Sequence, residues 1–112
     1  MKYTVFYCFY DLDQDATSDD GIECEKDQLV EKLLDPISAD EDFFGLVDSE
    51  GTTLQAMYDE EDDQFWLEIP SVEEQGSYGQ YRSRDEIRAL LSDPPAIFKV
   101  EDFPGFEFMS WE

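Results

Sequence analysis

Of the 112 residues, 30 are aspartate or glutamate and none is histidine, so the chemistry on offer is carboxylate chemistry. Asp11, Asp13 and Asp15 are spaced like the first ligands of a calcium loop of the EF-hand type. The sixth position of such a loop needs glycine and is Ala16; the twelfth needs a bidentate glutamate and is Ile22. Asp19 and Glu23 leave an irregular oxygen site open, and a solvated acidic loop is the plainer reading. Glu73 and Glu74 form an adjacent pair suited in principle to acid–base work, but among so many carboxylates some adjacent pair is unavoidable. The commonest general base and metal ligand is missing. Cys8 and Cys24 are too few for a zinc site, and no glycine-rich phosphate loop occurs. The chain is expected to be no enzyme and to carry no cofactor.

Binding chemistry is better supplied. Thirty acids against seven bases leave a net charge of -23, whose self-repulsion costs stability at low salt. Nucleic acids and anionic membranes, both polyanions, are disfavoured as partners. A basic protein, a bound cation or a high-salt cytoplasm is favoured. The acids cluster in three places: Asp11, Asp13 and Asp15; Asp59, Glu60, Glu61, Asp62 and Asp63; and Glu73 with Glu74. Spread at phosphate-like intervals, they would be a decoy for the basic cleft of a nucleic-acid enzyme. Trp66, Tyr78, Tyr81 and Gln55 would supply the short-range anchors that charge alone lacks. Trp111 is expected instead to be buried, pinning the last strand to the core.

The elements that would position these residues are legible. Asp42 to Pro70 reads as three antiparallel strands. Ser49-Glu50-Gly51 suits a three-residue turn with Gly51 left-handed, and Glu60 to Asp63 a four-residue turn. In that register Phe44, Leu46, Leu54, Ala56, Tyr58, Phe65, Leu67 and Ile69 share the core face, with Tyr58 opposite Phe65 and Ala56 opposite Leu67. A slip of one residue would put Gln64, Trp66 and Glu68 inside. The other face carries Phe43, Val47, Thr53, Gln55, Met57, Trp66 and Glu68. Lys2 to Tyr10 reads as a strand buried on most of both faces, Asp11 to Gly21 as an acidic loop, and Ser71 to Tyr81 as a loop. Helices are expected at about 25–34, ended by Pro36, and from an N-cap at Ser83 with Glu86 completing a capping box. FKVED and FEFMSWE in the tail look strand-like. The expectation is one domain over residues 1–112, of α+β class. It has a mostly antiparallel sheet with a three-strand meander and two helices packed on one face.

No secretory signal opens the chain and no run reaches the length that spans a bilayer, so a cytoplasmic protein with two reduced thiols is expected, as a monomer or weak dimer.

From Tyr81 to Glu112 a tyrosine-bearing loop, the capped helix RSRDEIRALL, a proline-bearing linker and a terminal Trp-Glu resemble the closing segment of small bacterial immunity proteins. These accompany polymorphic toxins, notably nucleases and nucleic-acid deaminases. The linker DPPAIFKVEDFPGFEF is longer than that pattern expects. The resemblance implies an antitoxin that binds a cognate, basic toxin domain and occludes its active site. Two alternatives stay open: an acidic domain of a halophile with no anion-mimic role, and a calcium-dependent binding module.

Overall fold

Glycine and aspartate pin the turns, and strict apolar alternation decides which face of each strand is buried. The computed structural model describes residues 2–111. It contains β1 (Lys2–Phe9), β2 (Gln14–Ala16), β3 (Glu23–Glu25), β4 (Phe43–Val47), β5 (Thr53–Asp59), β6 (Gln64–Ser71), β7 (Gly76–Ser83), α1 (Arg84–Ser92) and β8 (Glu107–Ser110). The strands form one antiparallel sheet in the order β2-β1-β4-β5-β6-β7-β8, and β3 shares the outer edge of β1 with β2. Few residues are helical, so the chain is α+β with the sheet dominant.

Phe44 faces Ala56 and Leu46 faces Leu54 between β4 and β5; Ala56 faces Leu67 and Tyr58 faces Phe65 between β5 and β6. Gly51 takes φ 84° in the first turn, where a side chain would be strained. Asp63 takes φ 51° in the second, and its carboxylate accepts the Tyr58 hydroxyl at 2.6 Å. These sheet residues join Leu29, Leu33, Leu34, Ile87 and Leu91 in one buried cluster. Each such leucine contributes about 1.5–3 kcal/mol of transfer free energy. Ser83 caps α1 as its sequence requires: its Oγ accepts the Glu86 N–H at 3.2 Å, and the Glu86 carboxylate accepts the Ser83 N–H at 3.0 Å.

Four elements differ from expectation. The first helix is not regular. A 3-10 turn over Lys26–Gln28 runs into a π-helical turn over Val30–Leu34, closed by the Asp35 N–H bonding to the Val30 carbonyl at 3.0 Å. Leu29, Leu33 and Leu34 are all fully buried along this stretch. Much of the stretch expected as loop, Ser71 to Tyr81, belongs to strands, because Gly76 and Gly79 hide the alternation yet make room for neighbouring rings. The acidic segment after β1 folds back as β2, a 3-10 turn and β3. Of the tail runs, only FEFMSWE yields a strand; FKVED contains a 3-10 turn closed by the Asp102 N–H on the Lys99 carbonyl.

Candidate binding face

Residues directly opposite in an antiparallel ladder point to the same side, so the pairings sort the sheet into rows. One side is covered by the buried cluster, which takes in Leu29, Leu33, Leu34, Ile87 and Leu91. The other carries Cys8, Phe43, Met57, Trp66 and Tyr81 in one row across five strands. The next row is Phe6, Gly45, Gln55, Glu68, Gly79 and Glu107. The Phe6 ring lies across Gly45, where an added Cβ would come within 1.9 Å of it. The Trp66 indole lies across Gly79, where a Cβ would stand 2.8 Å away. Glycine thus lets the large rings lie across the neighbouring strands, and the face is aromatic. Trp66 meets Tyr81 edge-on at 5.0 Å, and Phe6 meets Phe43 at 6.4 Å. Met57, Tyr81, Met109 and Trp111 remain 45%, 50%, 53% and 55% exposed.

Glu68 sits in the middle of this face. Its carboxylate accepts the Gln55 amide at 2.7 Å, the Trp66 indole N–H, and the Ser77 hydroxyl at 3.4 Å; Ser77 in turn accepts the Trp111 indole at 3.1 Å. All its donors here are neutral. Beside it lies a shallow depression of about 270 Å³ lined by Phe43, Gln55, Ala56, Met57, Trp66 and Glu68. Among the described strand residues, Lys2 is the one basic residue whose alternation puts it on this side. It stands at a far corner, within 3.8 Å of Glu23 and Glu25.

The acidic segments are gathered by topology. β1 and β5 run the same way, so the turn after β1 and the turn after β5 lie at one end of the sheet, with the entry to β4 between them. There Asp11 and Asp13 join Glu60, Glu61, Asp62 and Asp63, and Asp40 and Glu41 complete the rim. Asp40 accepts the Glu60 N–H at 3.0 Å, and Asp11 accepts the Ser38 hydroxyl at 3.4 Å. Asp59 closes β5 at this end, and Asp15 opposes Cys8 at the sheet edge. Hydrogen bonding to Asp63, followed by burial, raises the Tyr58 pKa above the usual tyrosine value.

Trp66, Tyr81 and Gln55 therefore share the open face, flanked by the rim. Glu73 and Glu74 do not belong to it. They lie in the turn after β6, an eight-residue strand, and so about 25 Å from the β5–β6 turn. Tyr78 also departs: it opposes Ile69 on the covered side and packs on Phe108 at 5.1 Å, its pKa raised first by hydrogen bonding to Glu74. Trp111 is exposed rather than buried, because the alternation of β8 turns it with Met109 toward the open side. Glu112, the other half of the terminal Trp-Glu, lies outside the described residues. Asp40, Glu41, Met109 and the central position of Glu68 are the features sequence reasoning missed. Strand alternation through Glu68 was the available signal; without β7 as a strand, nothing placed it mid-sheet.

No group of three or more potential metal-ligating side chains occurs among the described residues, and no helix there is long and apolar enough to cross a membrane. No family model matches the chain, and neither a curated protein nor a solved structure is significantly similar to it.

Proposed function

We propose that this chain is a non-catalytic binding protein that docks its open sheet face on a basic protein, and specifically an immunity protein that occludes the active site of a nuclease or deaminase toxin domain. The observation that carries the reading is the pairing of a partly exposed aromatic face with an acidic rim at one end. Aromatic surface supplies desolvation energy and short-range fit. The rim and the net charge of -23 supply long-range attraction for a cationic partner and repel polyanions such as nucleic acid and anionic lipid. Association is then fast and weakens with salt, while dissociation is governed by Trp66, Tyr81 and Met57. The place of action is the cytoplasm, where both thiols stay reduced.

Co-expression with a toxin domain encoded beside this chain tests the reading. Restored growth and a stable complex on size-exclusion chromatography at 0.15 M salt are expected. Toxicity that persists alongside soluble, folded protein would refute it. A fold that persists well below molar potassium chloride is also expected, since the acidity serves a partner rather than a saline solvent.

A further inference from the structure

We infer that Glu68, with Trp66 and Met57 beside it, forms a subsite for a single arginine side chain of the basic partner. This rests on the binding reading above and names what the centre of the face recognises.

The first ground is charge without a counter-charge. Glu68 is a half-buried carboxylate in mid-sheet whose donors are an amide, an indole and a hydroxyl. Two carboxylate oxygens offer about four acceptor positions, so capacity for a further donor remains. Among the described residues no basic side chain forms an ion pair with it, and Lys32 lies over the Tyr7 ring at 5.3 Å. Lys2 is held by Glu23 and Glu25, Lys26 by Asp93 at 2.6 Å, and Arg88 by Asp35. Arg82 opposes Phe65 on the covered side, and Arg84 lies over the Tyr58 and Phe65 rings at 5.1 and 5.3 Å.

The second ground is shape. The depression beside Glu68 is walled by the Phe43 and Trp66 rings and by the Met57 thioether. Trp66 is fixed at two points, by its N–H on Glu68 and by its close approach to Gly79. A guanidinium is planar, stacks on aromatic faces and presents paired N–H donors to a carboxylate. A lysine ammonium reaches the charge but cannot stack, so the subsite prefers arginine. A second copy of this chain is a poor source, because two bodies of charge -23 repel.

The test uses the two tryptophans as separate reporters. Titrating the ¹⁵N-labelled full chain with tetra-arginine in 0.15 M salt should shift the Trp66 indole N–H saturably and the Trp111 indole less. Binding should be about three-fold or more tighter than that of tetra-lysine. Glu68→Gln, which keeps an acceptor for the indole, should weaken tetra-arginine about ten-fold or more. Neutralising Glu60, Glu61, Asp62 and Asp63 should instead weaken both peptides alike. Met57→Lys, a change at an exposed position that places a cation beside Glu68, should abolish the Trp66 shift and covers the case in which Glu68→Gln fails to fold. Unchanged tetra-arginine binding in either folded variant, or shifts confined to rim amides, would overturn the subsite. If Glu68→Gln leaves the affinity for a neutralised toxin unaltered, the subsite falls and the immunity reading stands. If tetra-arginine engages Glu68 but no toxin is neutralised, the reverse holds.

Discussion

Asp48 and Phe98 are 50 positions apart, yet the Phe98 backbone N–H donates to the Asp48 carboxylate at 2.9 Å. The other carboxylate oxygen accepts the Glu50 and Thr52 N–H groups, each at 2.9 Å. One nearly buried side chain thus closes the β4–β5 turn and anchors the segment beyond α1 to it. Asp48→Ala would strand three donors, and because bonds to a charged acceptor contribute about 1.5–3 kcal/mol each and overlap, a loss of about 3 kcal/mol is expected. Urea unfolding measures it, with Asp48→Asn falling between. A loss below about 0.5 kcal/mol would mean that water replaces the carboxylate.

The acidic rim should act at a distance. At 0.15 M salt the screening length is near 8 Å, so neighbouring charges still add across a cleft. Neutralising Glu60, Glu61, Asp62 and Asp63 together is expected to slow association with the cognate toxin by about ten-fold and change dissociation less. Trp66→Ala should do the opposite. Stopped-flow mixing at two salt concentrations separates them, and an unchanged association rate would take the rim out of binding.

The two glycines under the rings should be intolerant of a side chain. At Gly79 an added Cβ meets the Leu67 carbonyl at 2.7 Å as well as the indole; at Gly45 the three nearest atoms all belong to the Phe6 ring. Backbone cannot yield as a ring can, so Gly79→Ala should be the more costly, at about 1–3 kcal/mol. It should also alter Trp66 fluorescence, whereas Gly45→Ala should leave that emission alone. Equal stability of both variants with unchanged emission would contradict the packing of Trp66 across Gly79.

Hydrogen bonds from the Ser83 backbone and then its hydroxyl hold the Glu86 carboxyl below its ordinary value. With the folded pKa depressed, the stabilisation is complete above the unfolded value of about 4.3 and is lost as pH falls through the lower folded value. Carbon-detected NMR titration should place Glu86 below an ordinary glutamate, and Ser83→Ala should move it up, with loss of the cap costing the helix about 1 kcal/mol. A Glu86 midpoint unaffected by Ser83→Ala would dissociate the cap from the shift.

By itself the chain determined what period-two patterning and local turn chemistry can carry. The facing pairs Tyr58–Phe65 and Ala56–Leu67, the left-handed Gly51 and the Ser83–Glu86 box are short-range, and only one register puts Phe44, Leu46, Leu54, Ala56, Tyr58, Phe65, Leu67 and Ile69 together on the buried side. The tertiary structure alone decided the rest. Gly76 and Gly79 give no alternation to read, and their place in β7 makes sense only once the rings of Phe108 and Trp66 lie across them. The spacing of Leu29, Leu33 and Leu34 suits an ordinary helix as well, so the π-helical form of the turn that buries them was not legible in it. Which acids share a rim depended on strand order. Parallel running of β1 and β5 brought Asp11 and Asp13 to Glu60–Asp63, while the length of β6 carried Glu73 and Glu74 to the opposite end, because antiparallel neighbours alternate their turns between the two ends of a sheet.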